Sequence, residues 1–146
     1  MWLLVFFILS VGRPSPAGAE EDPAYARLGY ALVTKNGQRF TMVTLTRVTN
    51  VRTCQSLLDR IEMPSHGWER TSADCFAGES YDALYVPVFD NRPGPAVYLA
   101  YQDRHGWQTR VNFGAAPPAV AEALAKTAVD SLKTSGIRDV SVIYPE

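Results

Sequence analysis

Residues 54–75 read CQSLLDRIEMPSHGWERTSADC, and the chain's two cysteines stand at the two ends of this stretch. Apolar residues recur at helical spacing over residues 51–61, which predicts an amphipathic helix. The Met-Pro-Ser-His-Gly run that follows ends the helix, and residues 68–76 are typical of a strand. Together with the preceding β-branched stretch, this segment predicts a strand-helix-strand unit.

Cys54 and Cys75 are predicted to form a structural disulfide. In a strand-helix-strand unit, the start of the helix and the end of the returning strand lie at the same end, within bridging distance. The bridge is expected to contribute about 3 kcal/mol in the chain-entropy description. A redox-active pair is the alternative, but thiol oxidoreductases favour Cys-x-x-Cys. Neither the cysteines nor the two histidines have zinc-ligand spacing.

Residues 1–19 are predicted to be a secretory signal peptide. Residues 2–11 are uncharged and mostly apolar, but they are too few to cross a bilayer, which requires about 20 residues. An Ala-Gly-Ala sequence precedes an acidic stretch, so cleavage is expected after Ala19. A retained membrane anchor is the alternative. The mature protein is expected to be periplasmic or secreted and to have no membrane contact after cleavage.

The charge balance restricts the class of partner. The chain has 14 Lys and Arg against 15 Asp and Glu, a formal net charge of −1. Nucleic-acid binding requires a basic face, so we expect no nucleic-acid partner. The expected partner is a protein, a peptide or a glycan.

The rest of the chain predicts two hairpins and a second helix. Residues 20–27 are expected to form a flexible N-terminal arm, and residues 28–146 a single domain. Asn36-Gly37 predicts a two-residue type I′ turn that pairs Val33 with Phe40. Residues 96–102 and 107–113 are predicted to form the second hairpin, residues 117–133 a helix and residues 139–144 the last strand.

Residues 77–95 combine helical spacing of aromatic residues with Pro87, which disfavours a continuous helix. We expect a helical turn up to about Leu84 and then an irregular flap. The predicted fold is α+β: a mostly antiparallel sheet of about five or six strands in ββαβ-ββαβ order, with two helices on one face. This is a variant of the ferredoxin-like arrangement.

The sequence His-Gly-Trp occurs twice, at residues 66–68 and 105–107, each time at the start of a strand. One interpretation is shared turn chemistry, in which Gly supplies a positive φ. The other is a joint ligand site on one sheet edge, formed by His66, Trp68, His105 and Trp107. Tyr85, in the predicted flap, is the fifth candidate ligand-binding residue. We predict no metal site and no cofactor.

The sequence has no Gly-x-Ser-x-Gly, no His-Glu-x-x-His and no glycine-rich phosphate loop. The first hypothesis is therefore a small disulfide-bonded, non-enzymatic binding or interaction module. One alternative is a small hydrolase or metal-dependent enzyme that uses the turns at His66 and His105. Another alternative is a protease inhibitor or a cell-wall glycan binder.

Overall fold

The structure, a computed structural model, describes residues 22–61, 67–114 and 116–146. The predicted signal peptide lies outside these residues. The described chain forms six strands and three helices: β1 (Ala24–Val33), β2 (Arg39–Val48), α1 (Val51–Leu58), β3 (Trp68–Ala77), α2 (Glu79–Phe89), β4 (Tyr98–Gln102), β5 (Gln108–Asn112), α3 (Pro118–Thr134) and β6 (Val140–Ile143).

The strands form one sheet in the order β3-β1-β2-β5-β4-β6, and all neighbouring strands are antiparallel. The order is symmetric about the β2–β5 pair, because β3-β1-β2 on one side corresponds to β6-β4-β5 on the other. The α+β class and the antiparallel sheet are therefore confirmed. The strand order, which alternation along the sequence could not supply, comes from the structure.

The prediction of two helices is wrong, because α2 continues through Pro87 to Phe89. Pro87 has no N–H to donate to the carbonyl four residues earlier, so the helix loses one bond of its ladder at this position. The ring of Tyr85 packs on Tyr25 of β1, with centroids 4.9 Å apart, and Tyr81 packs on Phe76 at 4.8 Å. With this third helix, the two-helix ferredoxin-like arrangement is not the one that the chain adopts.

The helices lie on both faces of the sheet. α1 covers β1 and β3, and α3 covers β4 and β6, on the face that we call the α1/α3 face. α2 lies on the opposite face, the α2 face, where it covers Tyr25. No helix within the three described ranges is long and apolar enough to cross a membrane.

The first hairpin is in a register one residue away from the predicted one. Its loop has three residues, 35–37, and a 2.8 Å backbone hydrogen bond joins the residues that flank it. Gly37 alone in this loop has a positive φ, of 81°, so the turn is not type I′. Leu32, not Val33, therefore pairs with Phe40. Because side chains alternate along a strand, one residue of shift moves each partner to the other face.

The core begins four residues earlier than the strand that the sequence predicted from Leu28. β1 starts at Ala24, and Ala24, Tyr25 and Ala26 have no exposed surface. Ala24 and Ala26 pack with Val48 and Cys54 beneath α1. A second cluster, around Leu99, lies beneath α3.

The predicted disulfide between Cys54 and Cys75 is confirmed, with a Cα–Cα distance of 6.0 Å. It joins the first half of α1 to the last part of β3, next to the cluster formed by Ala24 and Ala26. Asn50 caps the same end of α1, because its side-chain oxygen accepts a 2.7 Å hydrogen bond from the Thr53 N–H. The start of α1 is therefore fixed covalently and by its cap.

Candidate functional site

A groove of about 940 Å³ lies on the α1/α3 face, and we call it the α1 groove. It exists because α1 and α3 cover the two sides of the sheet and leave part of its centre open. α1 and the residues just after it form one wall, and the β4–β5 turn at residues 103–107 forms the other. The floor consists of side chains from four strands: Leu28, Tyr30, Thr44, Thr46, Tyr101 and Thr109.

Hydroxyl groups line the floor of the α1 groove. Thr46 and Thr109 are directly opposite each other on β2 and β5, and their buried hydroxyls are 3.0 Å apart. Burial, with Asp103 and Tyr30 as further causes, raises the pKa of Tyr101 to about 12. Burial also raises the pKa of Tyr30. Both phenols therefore keep their protons at neutral pH and are available as hydrogen-bond donors.

The walls of the α1 groove carry arginines. Arg52 in α1 and Arg60 just beyond its end lie four residues on either side of Ser56, and Arg104 lies in the opposite turn. Within the described part of the chain, no carboxylate lies within ion-pair distance of Arg52 or Arg60. Three guanidinium groups thus surround the groove, with Asp103 as the single carboxylate among the lining residues that the structure describes.

Asp103 has a structural task in the β4–β5 turn. Its Oδ1 accepts hydrogen bonds from the backbone N–H groups of His105 and Trp107, each at 2.9 Å. Arg104 of the same turn donates to the Ser135 carbonyl just after α3. These bonds hold Trp107 at the edge of the groove, where it also packs against the cluster beneath α1.

The tryptophans of the two His-Gly-Trp segments lie far apart in the sheet. Trp68 starts β3 and pairs with Leu32, next to the first hairpin loop. Trp107 precedes Gln108, which pairs with Arg47 near the opposite end of the β1–β2 hairpin. The two tryptophans are therefore at opposite ends of the sheet, with β1 and β2 between their strands. His66 lies outside the described residues.

Of the five predicted ligand-binding residues, the structure places His105 and Trp107 in the α1 groove. Trp68 is at the edge strand, and Tyr85 is on the α2 face against Tyr25. Tyr25 also donates a hydrogen bond from its hydroxyl to Asp82 at the start of α2, which fixes that helix on the sheet. Binding roles for these residues stay predictions.

The arginines and the floor tyrosines of the groove were not predicted. A signal for the arginines was present, because Arg52, Ser56 and Arg60 follow one another at four-residue intervals beside the apolar stripe of α1. Tyr30 and Tyr101 are 71 positions apart and belong to different hairpins. Only the strand order brings them together.

Among the described residues that line the α1 groove, His105 carries the one imidazole, and no described residue makes a hydrogen bond to its ring. No group of three or more metal-ligating side chains occurs within residues 22–61, 67–114 and 116–146. The described lining residues of the α1 groove offer groups for hydrogen bonding, ring stacking and charge pairing. Comparison with known proteins gives no relative, since no protein-family model, curated protein or solved structure matches the chain.

Proposed function

We propose that the protein is a secreted or periplasmic binding module, not an enzyme, and that the α1 groove binds an acidic glycan. One observation carries the proposal: a single groove of about 940 Å³ combines an aromatic and hydroxyl-lined floor with three arginines on its walls. The disulfide between Cys54 and Cys75 fits an extracellular small domain, because such bonds persist in oxidising compartments.

The floor supports a sugar as the ligand. Tyr101 on the floor and Trp107 at the edge of the groove offer flat apolar rings, against which the C–H face of a sugar ring can pack. Thr44 and the protonated phenols offer hydroxyls that exchange hydrogen bonds with sugar hydroxyls. A concave site with ring surfaces and a few convergent polar groups is typical of small-ligand recognition.

The walls support a negative charge on that sugar. A guanidinium group pairs with a carboxylate through two parallel hydrogen bonds, which gives both affinity and orientation. Arg52 is in the first turn of α1 and Arg60 just beyond its last turn, so they are roughly 12 Å apart along the helix axis. Two cations at this separation suit an oligosaccharide with repeated carboxylates.

An extended peptide fits the α1 groove less well. Peptides that bind sheets add a strand to a free edge and use backbone hydrogen bonds. The groove lies over the four inner strands of the sheet, β1, β2, β5 and β4. Each of these strands already has a partner strand on both sides, so none of them offers a free edge. The polar floor is also unlike the apolar groove that an amphipathic helix requires.

Calorimetric titration with three ligands tests the proposal: oligogalacturonate, a neutral chito-oligosaccharide and an oligoglutamate peptide. We expect oligogalacturonate to bind, the neutral sugar to bind about tenfold more weakly or not at all, and added salt to weaken the acidic complex. Tighter binding of the peptide than of oligogalacturonate would contradict the glycan assignment.

A pair of matched double variants locates the site. Arg52→Gln with Arg60→Gln removes two groove cations and should weaken oligogalacturonate binding by about tenfold to a hundredfold. Arg39→Gln with Arg138→Gln removes two exposed cations outside the groove and should leave the affinity unchanged. Equal losses in both double variants would mean that overall charge, and not the groove, holds the ligand.

A further inference from the structure

A second cavity, which we call the α2 pocket, lies on the opposite face of the sheet from the α1 groove. It has a volume of about 300 Å³ and is enclosed by the second half of α2, the loop at residues 90–96 and the centre of the sheet. Its walls are mostly apolar, with Val43 and Leu45 from β2, Val88 from α2 and Pro93 from the loop. This volume is near the lower limit for small-molecule sites.

Arg110 borders the α2 pocket and is only 4% exposed. Its guanidinium donates to the carbonyls of Val88 at 3.1 Å and Phe89 at 2.9 Å, at the C-terminal end of α2. It also donates to the Thr109 carbonyl and the Gln108 amide oxygen, and it lies 4.9 Å from the centre of the Phe89 ring. All these partners are neutral groups.

These contacts explain how Arg110 holds α2, but they leave its charge without a counter-ion. The partial negative charge at the end of a helix offsets a buried cation only in part. Within the described residues, the one salt bridge joins Arg92, which also lines the α2 pocket, to Asp90 at 3.9 Å and does not involve Arg110. A guanidinium has five N–H groups, and the contacts of Arg110 use four of them.

The sheet register places a second cation beside the same pocket. Arg27 pairs with Leu45, and Leu45 pairs with Arg110, so the three residues form a row across β1, β2 and β5. The backbones of the two arginines are therefore about 10 Å apart, with the apolar side chain of Leu45 between them. A carboxylate above Leu45 lies within reach of both long side chains.

We propose that the α2 pocket binds a small amphipathic carboxylate, with its apolar body in the cavity and its carboxylate between Arg27 and Arg110. The charge of the two arginines selects the anion, and the apolar walls select an aromatic or short aliphatic body. This site is independent of the α1 groove, because the sheet separates the two cavities. It therefore does not rest on the proposed glycan function.

Titration of the amide chemical shifts with phenylpropionate tests the proposal, with phenylpropanol as the neutral comparison of similar shape. We expect phenylpropionate to bind with a Kd of about 10 µM to 1 mM, and phenylpropanol to bind about tenfold more weakly. The shifts should be confined to α2, residues 90–98 and the centres of β1, β2 and β5. Equal affinity for the two compounds, or no binding of phenylpropionate to the folded protein, would overturn the proposal.

Variants that leave Arg110 and its contacts with α2 unchanged keep the test independent of folding. Ala96→Phe fills the cavity without changing Arg110 and should abolish phenylpropionate binding. Arg27→Gln should weaken it by about tenfold, whereas Arg39→Gln, which is outside the pocket, should not. Trp107→Ala alters the α1 groove and should leave phenylpropionate binding intact. Unchanged binding by the Ala96→Phe variant would place the ligand elsewhere and refute the site.

Discussion

Removal of the disulfide should lower the free energy of unfolding by about 3 kcal/mol. Cys54 and Cys75 are 21 positions apart, and closing a loop of this length in the unfolded chain costs about 11 cal/mol/K. At 25 °C this entropy amounts to about 3 kcal/mol, or roughly a hundredfold change in the folding equilibrium. Cys54 has no exposed surface, so replacement by alanine also leaves a small cavity that adds on the order of 1 kcal/mol.

Urea unfolding of the Cys54→Ala/Cys75→Ala double variant measures this loss. Because the uncrosslinked denatured chain is more expanded, we also expect a larger m-value than in the wild type. Gln55→Ala, at an exposed position next to Cys54, is the control and should change stability by less than about 0.5 kcal/mol. A loss under about 1 kcal/mol with an unchanged m-value would refute the claim that the bridge acts by restricting the unfolded chain.

Two further predictions concern packing and alkaline pH. Gly29→Ala should lower the free energy of unfolding by about 1–3 kcal/mol, because a Cβ there would be 2.5 Å from the Ser72 hydroxyl. The control is Gly94→Ala, whose Cβ would be 3.9 Å from its nearest atom and which should be nearly neutral. Equal denaturant midpoints for the two variants would contradict this prediction and show that β3 shifts to accommodate the Cβ at residue 29. The pKa of Tyr25, like that of Tyr101, is raised to about 12, in both cases first by burial, whereas in the unfolded chain the value is 10.0. The contribution of the two protonated phenols to the free energy of unfolding should therefore be fully present below pH 10 and be lost as the pH rises through about 12. Phenolate absorbance followed together with circular dichroism tests this, and ionisation of all seven tyrosines near pH 10 in the folded protein would contradict it.

Patterns that are local in sequence predict those parts of the fold that depend on neighbouring residues. The disulfide followed from the positions of Cys54 and Cys75 in a strand-helix-strand unit, and the structure confirms it. The hairpin register was missed because Asn36-Gly37 is compatible with both a two-residue and a three-residue loop, and only the backbone angles distinguish them. The shift of one residue in register changes which side chains of β1 and β2 share a face of the sheet.

Long-range contacts decided what the sequence left open. Pro87 indicates a broken helix, but the packing of α2 rings against Tyr25, which is far away in sequence, outweighs that local preference. Contacts between distant parts of the sequence also form the candidate site. His105 and Trp107 belong to a motif that is local in sequence, whereas the floor of the α1 groove combines residues from four strands and depends on the strand order.

Binding of an acidic glycan in the α1 groove, as proposed above, can be located residue by residue. The most direct measurement is a map of the amide chemical shifts during titration with oligogalacturonate. We predict that the changes concentrate in α1, in the β4–β5 turn at residues 103–107 and at the floor positions Tyr30 and Tyr101. Changes centred on α2 or on the β3 edge, with α1 and the turn unaffected, would contradict the claim.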